Sequence, residues 1–271
     1  MREGERIVLH MPGLFLAELR RHLRLKWSYR LNSVSWIVLW VVAFPLLMTT
    51  FDNVAGGYRV ERRQASLIGF LMWDWSMTLL TVTVGFVSAE AREGTLESLV
   101  LSPVPPIMLF GLRTFAAMLV QGGQTLVLGG ILVLLMQIPL MVSAPALLIT
   151  LLTLIGVGGL GFAVAGLALV FKSVDSVVGV FSLLALGLTG AIVPLNQLGV
   201  PYQLLKYLIP TTWGIDALRQ VTVGGASWGK LWDAGGLAGL GLQTAIFVTV
   251  GVFVFTHLFK RARVYGELAS Y

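Results

Sequence analysis

Six apolar runs divide this chain, at about 33–50, 67–88, 107–137, 144–170, 177–193 and 237–259. A helix needs roughly 20 apolar residues to cross a bilayer core, and each run is near or above that length. A strand edge exposed to hydrocarbon leaves its backbone groups unpaired, so the runs are expected as helices. The expected fold is all-α: a polytopic membrane protein with six transmembrane helices. Composition agrees. Charged residues make up 12% of the chain and mean hydropathy is +0.85, whereas a soluble domain carries about 25% charged residues. The third run is overlong, so the sequence leaves its ends open.

Charge sets the orientation. An even number of spans puts both termini on one side. That side collects thirteen Lys and Arg residues, seven of them before the first run, and the other side collects six. The positive-inside rule then places both termini and the 90–106 loop in the cytoplasm. The cluster Arg59, Arg62 and Arg63 runs against the rule but is outweighed. The net charge of +6 follows from this topology and needs no nucleic-acid partner. There is no cysteine, which excludes disulfides and thiolate chemistry. Residues 1–31 are rich in Arg and lack the apolar core and cleavage site of a signal peptide. Residues 14–30 are expected as an interfacial amphipathic helix. Phe15, Leu16, Leu19, Leu23 and Trp27 form its apolar face, opposite Arg20, Arg21 and Arg24.

The loop after the second run concentrates charge in a chain that has little. Its sequence is Glu90-Ala-Arg-Glu-Gly-Thr-Leu-Glu-Ser-Leu-Val-Leu-Ser-Pro103. Gly94 can interrupt the arriving helix. Thr95 can cap a short new one, with Glu97 in its first turn, where the helix dipole favours an anion. Leu96, Leu99 and Val100 share one face. Pro103, Pro105 and Pro106 stop that helix, and Pro106 can open the next. The expected product is a stiff cytoplasmic knob with one apolar and one charged side. It is suited to docking on a soluble partner; an ordinary polar loop is the alternative.

Glu90-x-Arg92-Glu93-Gly94-Thr95-Leu96-Glu97-x-Leu99, followed by Ser102-Pro103, resembles the loop after the second span in ABC-2 type exporter permeases. The resemblance implies that this segment is a coupling helix, with Glu90, Arg92, Glu93, Gly94, Thr95, Leu96, Glu97, Leu99 and Val100 receiving motion from an ATPase subunit. Ala91 departs from the family, which often carries a charge there. Ile209-Pro-Thr-Thr-Trp-Gly-Ile-Asp-Ala-Leu-Arg219 resembles the family's proline-led segment after re-entrant helices at the outer mouth. Pro201, Pro210, Asp216 and Arg219 are the candidate external gate. Thr211 or Thr212 can cap that helix, and Asp216 can pair with Arg219 at i, i+3. A folded external loop without a gate is the alternative. The resemblance covers essentially the whole chain, residues 1–271, as a single transmembrane domain. Residues 1–32 form its cytoplasmic or interfacial start, 33–193 spans one to five, 194–236 the external segment, and 237–271 the last span and tail.

Several chemical signals carry little. Gly224 to Lys230 nearly matches a phosphate-binding loop, but Leu231 stands where Ser or Thr would hold magnesium. Ser227 matches a nucleophile-elbow pattern that requires an α/β sheet. Gly156-Val-Gly-Gly-Leu-Gly161, and Gly235 with Gly239, match the small-residue pattern of close helix contacts. His10, His22 and His257 lack metal-ligand spacing. No catalytic residue and no metal site is expected. Asp74, between Trp73 and Trp75, is the one acid well inside a run. It is a candidate intramembrane polar site, expected about 10 Å from the outer end of its helix.

These readings join as a permease subunit that binds no cofactor. The resemblance implies ATP and Mg on a separate ABC ATPase, present in two copies. It also implies a second permease chain, as a homodimer before a heterodimer, in the cytoplasmic membrane. The expected cargo is an amphipathic, lipid or lipid-linked substrate or a drug, moved outward. A secondary transporter, or a membrane scaffold or enzyme driven without ATP, is the alternative.

Overall fold

The computed structural model describes residues 3–54, 57, 59–96, 99, 104–140, 142–171, 174–192, 205–226, 229 and 236–264. Among them there are helices and no strand. In chain order these are α1 (Glu3–Ser28), α2 (Arg30–Val54), α3 (Val60–Arg92), α4 (Pro106–Met136) and α5 (Ala144–Ala168). There follow α6 (Val174–Leu188), α7 (Leu205–Leu208), α8 (Pro210–Thr222) and α9 (Gly236–Val264). Five of them, α2, α3, α4, α5 and α9, are long and apolar enough to cross a membrane. The protein is a multi-pass, all-α membrane protein.

The fifth apolar run departs from expectation. It forms α6, of only 15 residues, about 22 Å at 1.5 Å per residue. The helix ends where Thr189 N–H and Gly190 N–H turn back to Ala185 O and Gly187 O, with Gly190 at φ +72°. Conversely, α3 and α4 run to 33 and 31 residues, longer than a bilayer requires. The overlong third run is one continuous helix, opened by Pro106 at its first position and closed at Gln137 in a left-handed cap.

Helix α3 is the hub, packed against α4, α5, α6 and α8. The largest interface is α5 on α9, and glycine makes it. A Cβ on Gly251 would sit 2.0 Å from Gly159 O, and one on Gly159 would sit 2.6 Å from Phe247 O. Both backbones approach until a methyl group would not fit, as the small-residue pattern predicts. Gly239 likewise gives room to the Trp213 indole. Gly235 lies outside the described residues.

Helix α1 packs lengthwise along α4. Phe15 meets Phe115 with ring centroids 5.6 Å apart, and Glu18 meets Arg113. Lys26 Nζ donates to Gln121 Oε1 at 2.9 Å and to Gln124. The face turned inward therefore carries Phe15, Glu18, Leu19, His22 and Lys26. Of the expected apolar face, Leu16, Leu23 and Trp27 are exposed. Polar partners on α4 outweigh apolar periodicity in setting this helix's rotation.

Candidate functional site

The elbow after α3 is built from a helix-ending motif. Gly94 takes φ +69°, open to glycine at no steric cost. Gly94 N–H donates to Ala91 O at 3.3 Å, and Thr95 N–H reaches back to Glu90 O at 3.1 Å. This is the Schellman pattern, which satisfies two of the helix's terminal carbonyls. The chain then turns helical again, with Leu99 N–H on Thr95 O at 3.2 Å. The expected hydroxyl cap takes another form: Thr95 Oγ1 is turned back onto the Glu90 carboxylate.

Two ion clusters fasten the elbow. Arg113 Nη1 donates to Glu90 Oε1 at 2.6 Å, and Arg113 Nε to Glu18 Oε1 at 3.1 Å. One guanidinium from α4 thus joins the end of α3 to α1. Its planar fork of donors suits two carboxylates at once. On the other flank Asp175, at the start of α6, accepts from Arg92 Nη1 at 2.9 Å and from Ser88 Oγ at 3.0 Å. Four helices, α1, α3, α4 and α6, therefore meet at one turn.

This arrangement redistributes the expected roles. Glu90 faces inward, its carboxylate engaged by Arg113 and Thr95. Leu96, expected on a docking face, is 1% exposed in the core, and Leu99 packs against that core. Arg92, Glu93 and Gly94 form the exposed tip. Glu97 and Val100 lie outside the described residues. Sequence reasoning counted Arg113 only as topology and placed Glu18 nowhere. The signal for Arg113 was available, since a charge inside an apolar run implies a buried partner; Glu18 lies outside the runs and carried no such signal.

Asp74 lies farther from the end of its helix than expected. Helix α3 begins at Val60, so Asp74 is about 21 Å from that end and about 27 Å from Arg92. The polar stretch 60–66 continues the helix beyond the apolar run. Asp74 is 2% exposed. Its carboxylate accepts from Trp36 Nε1 and from Thr125 Oγ1, each at 2.9 Å. It borders a cavity of about 360 Å³ whose lining includes Lys26, Trp36, Trp73, Gln121 and Gln124. Burial holds the Lys26 ammonium below the usual lysine range, against the pull of Asp74.

The end of the bundle opposite the elbow carries the second expected segment. Pro210 opens α8 at its first position and is buried. Ile209 is the cap residue; no side chain caps the helix, and Thr211 and Thr212 are buried. Arg219 does not form the expected close pair with Asp216. It donates instead to Ala65 O at 2.8 Å and Ala191 O at 2.9 Å, tying α8 to α3 and to the turn after α6. Burial pulls its guanidinium down to about 10, with Asp216 acting against that. Pro201, Ser227, Lys230 and Leu231 lie outside the described residues. At this same end Asp52 pairs with Arg63 at 2.7 Å and Arg62 at 3.8 Å. The cluster that breaks the positive-inside rule is therefore partly neutralised.

The described residues form an all-helical membrane bundle with a braced elbow between its second and third long helices. The family model of ABC-2 type transporters matches residues 13–223, and the chain belongs to that family. The match runs from within α1 to the end of α8, including the elbow, Asp74 and Arg219. No curated protein matches the chain.

Proposed function

We propose that this chain is the permease subunit of an ATP-binding-cassette exporter, moving an amphipathic, lipid or lipid-linked substrate or a drug outward. A separate ABC ATPase seats against the elbow, two ATPases serving two permease chains, and ATP and Mg are held by the ATPase. The elbow and both termini face the cytoplasm. The bracing of the elbow is the observation that carries this reading. An exposed tip at Arg92–Gly94 stands on a turn fixed by Arg113 to α1 and α4 and by Asp175 to α6. A push on such a tip moves four helices together instead of bending a loop. Protein interiors respond to strain as packed bodies, so a small displacement is passed on.

The experiment is to purify the tagged full chain from its native membranes and ask whether a nucleotide-binding subunit and ATP hydrolysis accompany it. Gly94→Pro, which cannot adopt positive φ, is expected to keep the chain in the membrane and to lower the associated ATP hydrolysis severalfold. Absence of any ATPase from the wild-type preparation refutes the reading.

A further inference from the structure

The cavity beside Asp74 holds an unusual balance of charge. The Asp74 carboxylate is almost fully buried, yet both its oxygens are met by neutral donors, Trp36 Nε1 and Thr125 Oγ1. Among the described residues no cation comes within 4.0 Å of it. Buried carboxylates are ordinarily paired. The walls add indoles: Trp36 and Trp73 both line the cavity, and the Trp73 N–H is already engaged by Ser182 O at 3.0 Å. Indole faces attract cations, more strongly where water is excluded. The other charged group on the lining is Lys26. Its ammonium is held by Gln121 and Gln124, within Coulombic reach of Asp74 but not in contact with it.

We propose that this cavity is a binding site for a lipophilic monocation, which settles beside Asp74 between Trp36 and Trp73 and displaces the influence of Lys26, the chain's own resident cation. An anionic headgroup fits less well. It would find one ammonium whose donors already face two amide oxygens, with a carboxylate behind them. A cation finds a carboxylate with no cation in contact and two indoles on the lining. The site lies between α1, α2, α3, α4 and α6, with Ser182 as the α6 member, so an occupant would touch all four helices that meet at the elbow. The inference deepens the permease reading and rests on it for the fate of the cargo, although binding itself needs no ATPase.

The test uses the full chain in nanodiscs of zwitterionic lipid, with radiolabelled tetraphenylphosphonium as probe and its anionic counterpart, tetraphenylborate, as control. Saturable binding of the phosphonium is expected, weakened about tenfold or more by Asp74→Asn, the scale of one lost charge interaction. Lys26→Gln is expected to tighten it severalfold. Binding no greater than in empty nanodiscs overturns the proposal, as does equal affinity in Asp74→Asn. Saturable tetraphenylborate binding that disappears in Lys26→Gln overturns it in favour of an anion site. If Asp74→Asn does not give monodisperse protein, Lys26→Gln decides alone: unchanged or weaker phosphonium binding counts against the site. A chain that retains its ATPase but not the probe refutes this site only; a chain that binds the probe without an ATPase refutes the permease reading only.

Discussion

Arg113 and Glu90 are 23 residues apart in sequence and joined by a 2.6 Å hydrogen bond. The bond crosses the elbow, from the helix that leaves it to the helix that enters it. Glu18 takes a second donor of the same guanidinium, so the N-terminal helix belongs to the same unit. The side chains of Arg113, Glu18 and Glu90 are 11%, 8% and 14% exposed. At that burial, removing one member leaves charges that water cannot readily reach.

Arg113→Met is therefore expected to destabilise the chain by about 3–5 kcal/mol, the range for breaking a buried ion cluster from one side. The combined Glu18→Gln, Glu90→Gln, Arg113→Met variant removes the buried charges at once and leaves only the half-exposed Arg21 of the cluster. It is expected to recover most of the loss, because no buried charge stays uncompensated. Thermal midpoints in detergent check this: a triple variant no more stable than Arg113→Met alone would show that the cluster is not what holds the elbow.

Gly94 separates conformational strain from packing. A Cβ there meets no atom within 4 Å, yet φ is +69°, so substitution acts through the backbone alone. Gly94→Ala is expected to cost about 1–2 kcal/mol, and Gly94→Asn less, since Asn tolerates the left-handed region. The order Gly, Asn, Ala should appear in thermal midpoint and again in ATP hydrolysis of the assembled transporter. An Ala variant equal to wild type in both would mean that the helix end can re-form without the Schellman turn.

The sequence showed where helices lie better than how they face. The apolar runs located the long helices, Gly94 marked the break and Pro106 the restart, because these depend on composition and local backbone chemistry. Rotation and depth depend on partners far away in sequence. Leu16, Leu23 and Trp27 read as the buried side of an interfacial helix, but Arg113, Gln121 and Gln124 draw Glu18 and Lys26 inward instead. Asp74 was expected about 10 Å from the end of its helix because the apolar run begins at Leu67, whereas the helix begins at Val60. Arg219 was expected to pair locally with Asp216, but two backbone carbonyls, at Ala65 and Ala191, hold it. The family resemblance pointed to the elbow and to the α8 segment; the bracing that joins the elbow to α1 and α6 required coordinates.

The α5–α9 crossing predicts a sharp contrast between glycines. Gly251→Ala would place its methyl 2.0 Å from Gly159 O, while Gly123→Ala on α4 would place its methyl in open space. Overpacking of this kind costs about 1–3 kcal/mol and sometimes more. An open helical glycine replaced by alanine gains up to about 1 kcal/mol in propensity. Size-exclusion profiles after heating should show early aggregation for Gly251→Ala and wild-type or better retention for Gly123→Ala. Equal behaviour of the two would place the closest approach of α5 and α9 elsewhere.

His22 gives the elbow region a pH dependence. Its ring packs 5.1 Å from Phe86, and its buried Nε2 has no hydrogen-bond partner among the described residues. Burial is the largest effect and lowers its pKa below the ordinary 6.5; Arg21 and Arg113 act in the same direction and Glu18 against it. The unfolded chain therefore binds this proton more readily than the folded one, and stability rises with pH between the lowered value and 6.5. The contribution is complete above 6.5 and is lost as pH falls from there toward the lowered value. His22→Gln removes the titration while keeping a polar side chain of similar reach. Thermal midpoints of wild type and variant, measured at about pH 7.5 and about pH 5.5, should differ most in favour of the wild type at the higher pH. The gap should narrow at the lower pH as the wild type alone is penalised for protonating His22. A gap of the same size at both values would show that His22 is charged or neutral alike in both states, and that acid sensitivity at the elbow has another source.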